Sequence, residues 1–261
     1  RNMEKCDDMS YPAMAEDVVQ TLQEAGIRAA HFIGHSMGGK VASALSLIKT
    51  DIDIDVKSLT MLDISPVNYQ LSEFTHVSDT MKLLKEISSL SSSLPRRDIE
   101  LYITQKIPSK SMQQFIMSNI QWTGDVLNWS FHLPAICNNI NNIAGYPYDH
   151  DNMDHSLQYT GPTMILRSEN NDFVKPEHAR KTMRLFPNCQ VQTVKNSGHW
   201  LHIDQPETTA NIVSNFIRQA TSMNRDMDLA AMSAQGGASP DATATVARAP
   251  QHREMATPSI Y

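Results

Sequence analysis

The stretch Phe32-Ile33-Gly34-His35-Ser36-Met37-Gly38-Gly39-Lys40 constrains this chain more than any other. A short apolar run leads into a Gly-x-Ser-x-Gly pattern, and apolar residues at helical spacing follow it (Val41, Ala42, Leu45, Ile48). Strand, sharp turn and helix in that order raise a serine hydroxyl at the end of a strand. Gly34 and Gly38 are expected to leave room for neighbouring backbone that a Cβ would obstruct. The helix behind the serine aims its first amide groups at any negative charge that forms there. At average glycine and serine usage a chain of this length holds about 0.1 chance matches to the pattern. The plain alternative is a glycine-rich strand-to-helix turn in which Ser36 only caps the helix.

Such a turn belongs to a parallel sheet, and the chain is long enough to build one. Its 261 residues are 41% hydrophobic, ample for one large α/β domain. The formal net charge is −6, with no basic stripe and no nucleic-acid-reading motif, so a nucleic-acid partner is not expected. No apolar run is long enough to span a bilayer, and no signal peptide is visible, in a chain that opens at Arg1 without a methionine. Cys6, Cys137 and Cys189 are odd in number and widely spaced, which reads as free thiols. No Cys/His cluster has zinc spacing, so neither a metal nor another cofactor is expected.

In chain order, Ser10 can cap a helix with Pro12 in its first turn, Met14, Val18, Leu22 and Ala25 on one face, and Gly26 as its stop. Ile27–Ile33 is the strand that feeds the turn, and the helix after Ser36 runs to about Thr50. The acidic segment Asp51–Asp55 is expected to form a loop. Ser58–Ile64 reads as a buried parallel strand that ends in an acid, Asp63. From residue 71 to 148 helical segments (Met81–Leu90, Asp98–Lys106, Ser111–Ile120) alternate with Ser- and Pro-rich breaks, a mostly helical insertion or cap over the sheet edge. Its Met112, Phe115, Met117, Trp122 and Trp129 are candidates either for the cap's own core or for a substrate pocket. Strand character returns at Thr163–Arg167 and Gln190–Val194, with a helix from Pro176 between them and a final amphipathic helix over Pro206–Ala220. The resulting division is core over 1–70, cap over 71–148, core again over 149–221, and a disordered tail of Ala, Ser, Thr, Pro and Gly over 222–261.

A serine hydroxyl needs a base within hydrogen-bond reach, and the base needs a third group to fix its tautomer. His199 lies after the last strand and before the last helix, so it is the candidate base, with His202 as the nearest competitor. His35 is too close to Ser36 to aim its ring at the hydroxyl and reads as packing or loop-orienting. The acid is either Asp63, after the strand that follows the turn, or Asp172, in the loop after the next strand. One donor for a developing oxyanion is the backbone N–H of Met37. A second should come from a His-Gly loop after an earlier strand, and no strand precedes the Ser10 helix here.

The segments Met9–Asp17, Phe32–Lys40, Leu62–Val67 and Gly198–His202 together resemble one subgroup of the α/β-hydrolases, over roughly Arg1–Ala220. That subgroup holds small bacterial serine esterases and the mitochondrial α/β-hydrolase domain-containing protein 11. The resemblance implies an α/β-hydrolase fold with a mostly parallel sheet and a helical cap. Arg1-Asn2 resembles the loop after the family's third strand, so the chain reads as lacking the first strands. It further implies a serine hydrolase that cleaves carboxylic ester or lipid substrates through an acyl-enzyme, with Ser36 as nucleophile, His199 as base and Asp63 favoured over Asp172 as the acid. The alternative reading is a catalytically impaired hydrolase-like protein that acts as a binding or stabilising partner. The implied location is the mitochondrion for a eukaryotic source and the cytoplasm for a bacterial one.

Overall fold

The computed structural model describes residues 8–48, 54–70, 72, 75–149 and 157–235. Cys6, Arg1-Asn2, most of the expected acidic loop at 51–55 and the end of the tail lie outside these residues.

The chain alternates helix and strand as the spacing of its apolar residues requires. Helix α1 (Tyr11–Glu24) starts at Ser10, whose hydroxyl accepts from the Ala13 N–H, and is stopped by Gly26 in the left-handed region. Strand β1 (Ala29–His35) runs into helix α2 (Met37–Leu47), then strand β2 (Asp55–Leu62). After an insertion come strand β5 (Thr163–Ser168), helix α8 (Pro176–Leu185), strand β6 (Cys189–Val194) and the short α9 (Leu201–Asp204). Helix α10 spans Pro206–Gln235, so it continues well past the expected end at Ala220 and into the segment read as disordered tail.

The main sheet is parallel throughout, in the order β1-β2-β5-β6. The two inner strands, β2 and β5, are buried along most of their length, which is why they read as near-continuous apolar runs. Alternation along each strand sorts their side chains onto two faces. Leu59, Met61 and Ile165 join α1, α2 and α8 residues in one cluster. Leu62, Met164 and Leu166 meet Val213 and Phe216 of α10 in another. The sheet is therefore covered by helices on both sides, and each fully buried Leu, Ile or Met contributes roughly 1.5–3 kcal/mol of hydrophobic stabilisation.

The insertion between β2 and β5 carries α3 (Thr75–Leu90), α4 (Arg96–Lys106) and α5 (Lys110–Ser118). It also carries a two-stranded antiparallel hairpin, β3 (Ile120–Thr123) and β4 (Val126–Trp129), which the sequence reading passes over. Four-residue strands joined at a tight turn carry too few residues for a visible alternation; Gly124, at φ 61°, is the one local signal. Helices α6 (Leu133–Asn138) and α7 (Ile140–Ala144) lead back to the core. The insertion has its own apolar cluster, built on Leu84, Ile87, Ile99, Ile103 and Ile116.

Lys40 ties this return segment to α2. It is fully buried, and its ammonium donates to the carbonyls of Ile143, Ala144 and Gly145 at 3.4, 3.0 and 2.8 Å. The rings of Tyr11, Tyr69 and Tyr146 surround it at 5.1, 4.9 and 5.9 Å. Burial pushes its pKa down to about 7 against the opposing charge of Asp149.

Candidate active site

Three loops converge at the C-terminal edge of the sheet, where open α/β sheets bind their ligands. Ser36 follows β1, Asp63 follows β2, and His199 lies beyond β6. The pairing of His35 with Leu62, and of Leu62 with Leu166, brings the first two strand ends side by side.

The turn at Ser36 is strained. The residue sits at φ 54°, ψ −125°, well outside the usual regions for a side-chain-bearing residue, and its N–H donates to the Leu62 carbonyl at 3.0 Å. Its hydroxyl makes no helix-capping bond, so the plain capping alternative does not hold. The glycine requirement falls differently from expectation. A Cβ on Gly34 would land on the Gly38 carbonyl, and one on Gly39 would stand 2.5 Å from Ile64 Cγ2, whereas a Cβ on Gly38 would meet nothing. The close approach is thus between β1 and the first turn of α2, and between that turn and β2. Gly38 of the motif leaves open space.

The Ser36 hydroxyl lies 3.0 Å from His199 Nε2, and His199 Nδ1 lies 3.0 Å from Asp63 Oδ2. Asp63 is completely buried, and its carboxylate accepts four hydrogen bonds. Ser168 donates to Oδ1 from both its N–H and its hydroxyl at 2.8 Å, and Asn171 Nδ2 donates to Oδ2 at 2.9 Å. Every partner of an ionised carboxylate must donate, so His199 Nδ1 carries the hydrogen and Nε2 is left bare to accept from Ser36. Asp63 itself adopts a left-handed φ of 50°, tolerable for aspartate, which turns the chain back at the strand end.

The competing candidates are elsewhere. Asp172 is exposed, in the loop whose Asn171 holds Asp63. His202 packs edge-on against His35 with ring centres 4.6 Å apart, and its Nδ1 is buried without a partner. Ser168 and Asn171 are the site residues that reading the sequence missed; nothing in their local pattern distinguishes them from ordinary strand-end and loop residues. Met37 opens α2, where the first N–H groups have no partner within the helix.

Aromatic rings line one side of the site. Phe173 lies 4.8 Å from the His199 ring, and Trp200 lies 5.0 Å from Phe115 of the insertion. Of the five insertion residues held open between core and pocket, Met112, Met117, Trp122 and Trp129 pack into the insertion's own cluster, and Phe115 reaches the His199 loop. Among the described residues no cluster of His, Cys, Asp and Glu could hold a metal ion, and no helix is long and apolar enough to cross a membrane. Cys137 and Cys189 are free thiols.

A family model described as the alpha/beta hydrolase family matches residues 7–212, most of the chain. The chain belongs to that family. Among curated alpha/beta hydrolases it is similar to the sn-1-specific diacylglycerol lipase ABHD11 of Mus musculus, 30% identical over 213 residues, a match that covers 80% of this chain and 66% of that protein. It is also similar to the esterase YbfF of Escherichia coli K12, 25% identical, over 80% of this chain and 75% of the other. The chain therefore spans about two thirds to three quarters of these relatives. Among solved structures it resembles a marine microorganism esterase with a TM-score of 0.71 and 28% identity, over 80% of this chain and 78% of the other. The parallel sheet and flanking helices of the described residues have the alpha/beta hydrolase fold.

Proposed function

We propose that the chain is a serine hydrolase that cleaves carboxylic esters through an acyl-enzyme intermediate. The observation that carries this reading is the unbroken hydrogen-bonded line from Ser36 Oγ through the His199 ring to Asp63, 3.0 Å at each step. Ser36 Oγ attacks the ester carbonyl and passes its proton to His199 Nε2. Asp63 stabilises the imidazolium, and the Met37 N–H, at the positive end of α2, donates to the oxyanion. Collapse of the tetrahedral adduct expels the alkoxide, which takes the proton from His199 and leaves as alcohol with the acyl group on Ser36. Water, deprotonated by the same imidazole, then releases the acid and restores the serine.

The substrate reading rests on the aromatic lining and on relatives. Phe173 against the His199 ring, and Trp200 against Phe115 of the insertion, put apolar surface around the His199 loop, suited to a hydrophobic acyl chain. Relatives named esterase and sn-1-specific diacylglycerol lipase support ester substrates, lipids among them. We read the insertion over 71–148 as the cap that covers this acyl group.

The test is labelling with a fluorophosphonate, which phosphonylates an activated serine. Wild type is expected to be labelled at Ser36, and Ser36→Ala to be unlabelled. Equal labelling of both proteins, or none of either, refutes the reading, and absence of any label leaves a hydrolase-like binding protein in its place.

A further inference from the structure

His35 ends β1 immediately before Ser36, and its ring reaches the loop after β6. Its Nε2 lies 2.8 Å from the backbone carbonyl of His199. A carbonyl only accepts, so Nε2 bears the hydrogen and donates. The ring is packed in place by three others: His199 and His202 at 4.6 Å and Trp200 at 5.3 Å between ring centres. The loop it touches needs such a hold. Residues 195–200 form no regular element, Asn196 adopts a left-handed φ of 54°, and the following α9 is a single turn. The backbone before it is anchored by Gly198 N–H donating to Asp204 Oδ2 and by Asn170 N–H, from the loop after β5, donating to the Ser197 carbonyl; after it, the Trp200 carbonyl accepts from Ile203 and Asp204 N–H of α9. At His199 itself the carbonyl is held from β1.

We infer that His35 is a positioning residue for the proposed hydrolysis: its Nε2–H holds the His199 backbone so that the imidazole stands within reach of both Ser36 Oγ and Asp63. The inference rests on the serine-hydrolase reading. One rigid strand end then carries the nucleophile and, one residue earlier, the tether for its base, so the two cannot drift apart independently.

The choice of histidine suits the chemistry. His199 becomes positively charged each time it takes the serine proton, and a charged tether 4.6 Å away would oppose that. Burial, reinforced by the neighbouring His199 and His202, pushes the pKa of His35 down to about 4. The ring is therefore neutral at neutral pH and still a donor. Lysine or arginine would bring a charge, and phenylalanine would keep the packing without the donor. Glutamine offers a neutral N–H at similar reach.

The test uses the full chain as wild type, His35→Phe and His35→Gln. Inactivation by the fluorophosphonate is resolved into a limiting rate and a half-saturating concentration, with thermal melts alongside. His35→Phe is expected to lower the limiting rate by about 10–100-fold with the half-saturating concentration unchanged, the scale on which a misplaced catalytic group loses rate. His35→Gln should recover most of it. The low-field proton resonance of the His199–Asp63 hydrogen bond should broaden or vanish in His35→Phe and persist in His35→Gln. A folded His35→Phe that labels at the wild-type rate overturns the inference, as does a folded His35→Gln as slow as His35→Phe. Should His35→Phe not fold, His35→Gln decides: a near-wild-type rate supports the tether and a slow one refutes it. A wild type without Ser36-dependent label sinks the serine-hydrolase reading and the inference with it.

Discussion

Replacing Asp63 by asparagine swaps one oxygen for an NH2 group at unchanged volume, and the surrounding donors dictate which one. Ser168 presents two donors to Oδ1, while Oδ2 faces Asn171 Nδ2 and His199 Nδ1. The amide oxygen is expected to keep the two Ser168 bonds and the amide nitrogen to take the other side. There it confronts the His199 Nδ1–H, donor against donor. The imidazole escapes by moving its hydrogen to Nε2, the nitrogen that must be bare to accept from Ser36. An imidazole locked in the wrong tautomer typically loses about 10³–10⁴ in acylation, on the order of 4–5 kcal/mol of transition-state stabilisation. The Asn171 amide also loses its acceptor, a hydrogen bond to a charged group worth about 1.5–3 kcal/mol in stability. The assay is the rate of fluorophosphonate labelling at pH 7 to 8, with the melting temperature as control. Asp172→Asn, in an exposed position, should label within about twofold of wild type, as surface substitutions rarely matter. Labelling of Asp63→Asn at the wild-type rate, or loss confined to Asp172→Asn, would refute the assignment of the acid.

Two further outcomes concern stability. Gly34→Ala should destabilise the fold by about 1–3 kcal/mol or more, because its Cβ meets backbone that cannot yield, while Gly38→Ala should be neutral or stabilising by up to about 1 kcal/mol; urea unfolding of the pair measures both. Lys40 makes stability pH-dependent: with its folded pKa near 7 and an ordinary value of 10.5, the native state releases the proton first. The unfolded state then binds more protons over that window, so the Lys40 contribution rises by up to about 1.36 kcal/mol per pH unit as pH increases above 7. Unfolding free energies of wild type and Lys40→Met at pH 6 and pH 9 should diverge in favour of wild type by about 2–3 kcal/mol at the higher pH; a difference that does not change with pH contradicts it.

The sequence by itself determined what lies within one or two turns of chain. The Gly-x-Ser-x-Gly turn between an apolar run and a helical pattern placed Ser36, because the strain at φ 54° and the approach barred to a Cβ at Gly34 are local demands with a local signature. The apolar runs of β2 and β5 were legible for the same reason: burial on both faces removes alternation. Chain order alone made His199 the candidate base. Tertiary structure decided everything that depends on partners in other elements of the fold, most of them more than a hundred residues away. Which acid faces His199 was open between Asp63 and Asp172 on the residues alone, and the four donors gathered around Asp63 come from β5, its loop and the segment beyond β6. That Gly39 rather than Gly38 is sterically required follows from Ile64, on a different strand end. The burial of Lys40 is likewise a tertiary matter, since the three carbonyls and three tyrosines that close around it come from other elements. A hydrogen bond across the sheet leaves no mark on the spacing of either partner, since it is fixed by packing of whole elements rather than by the period of any one of them.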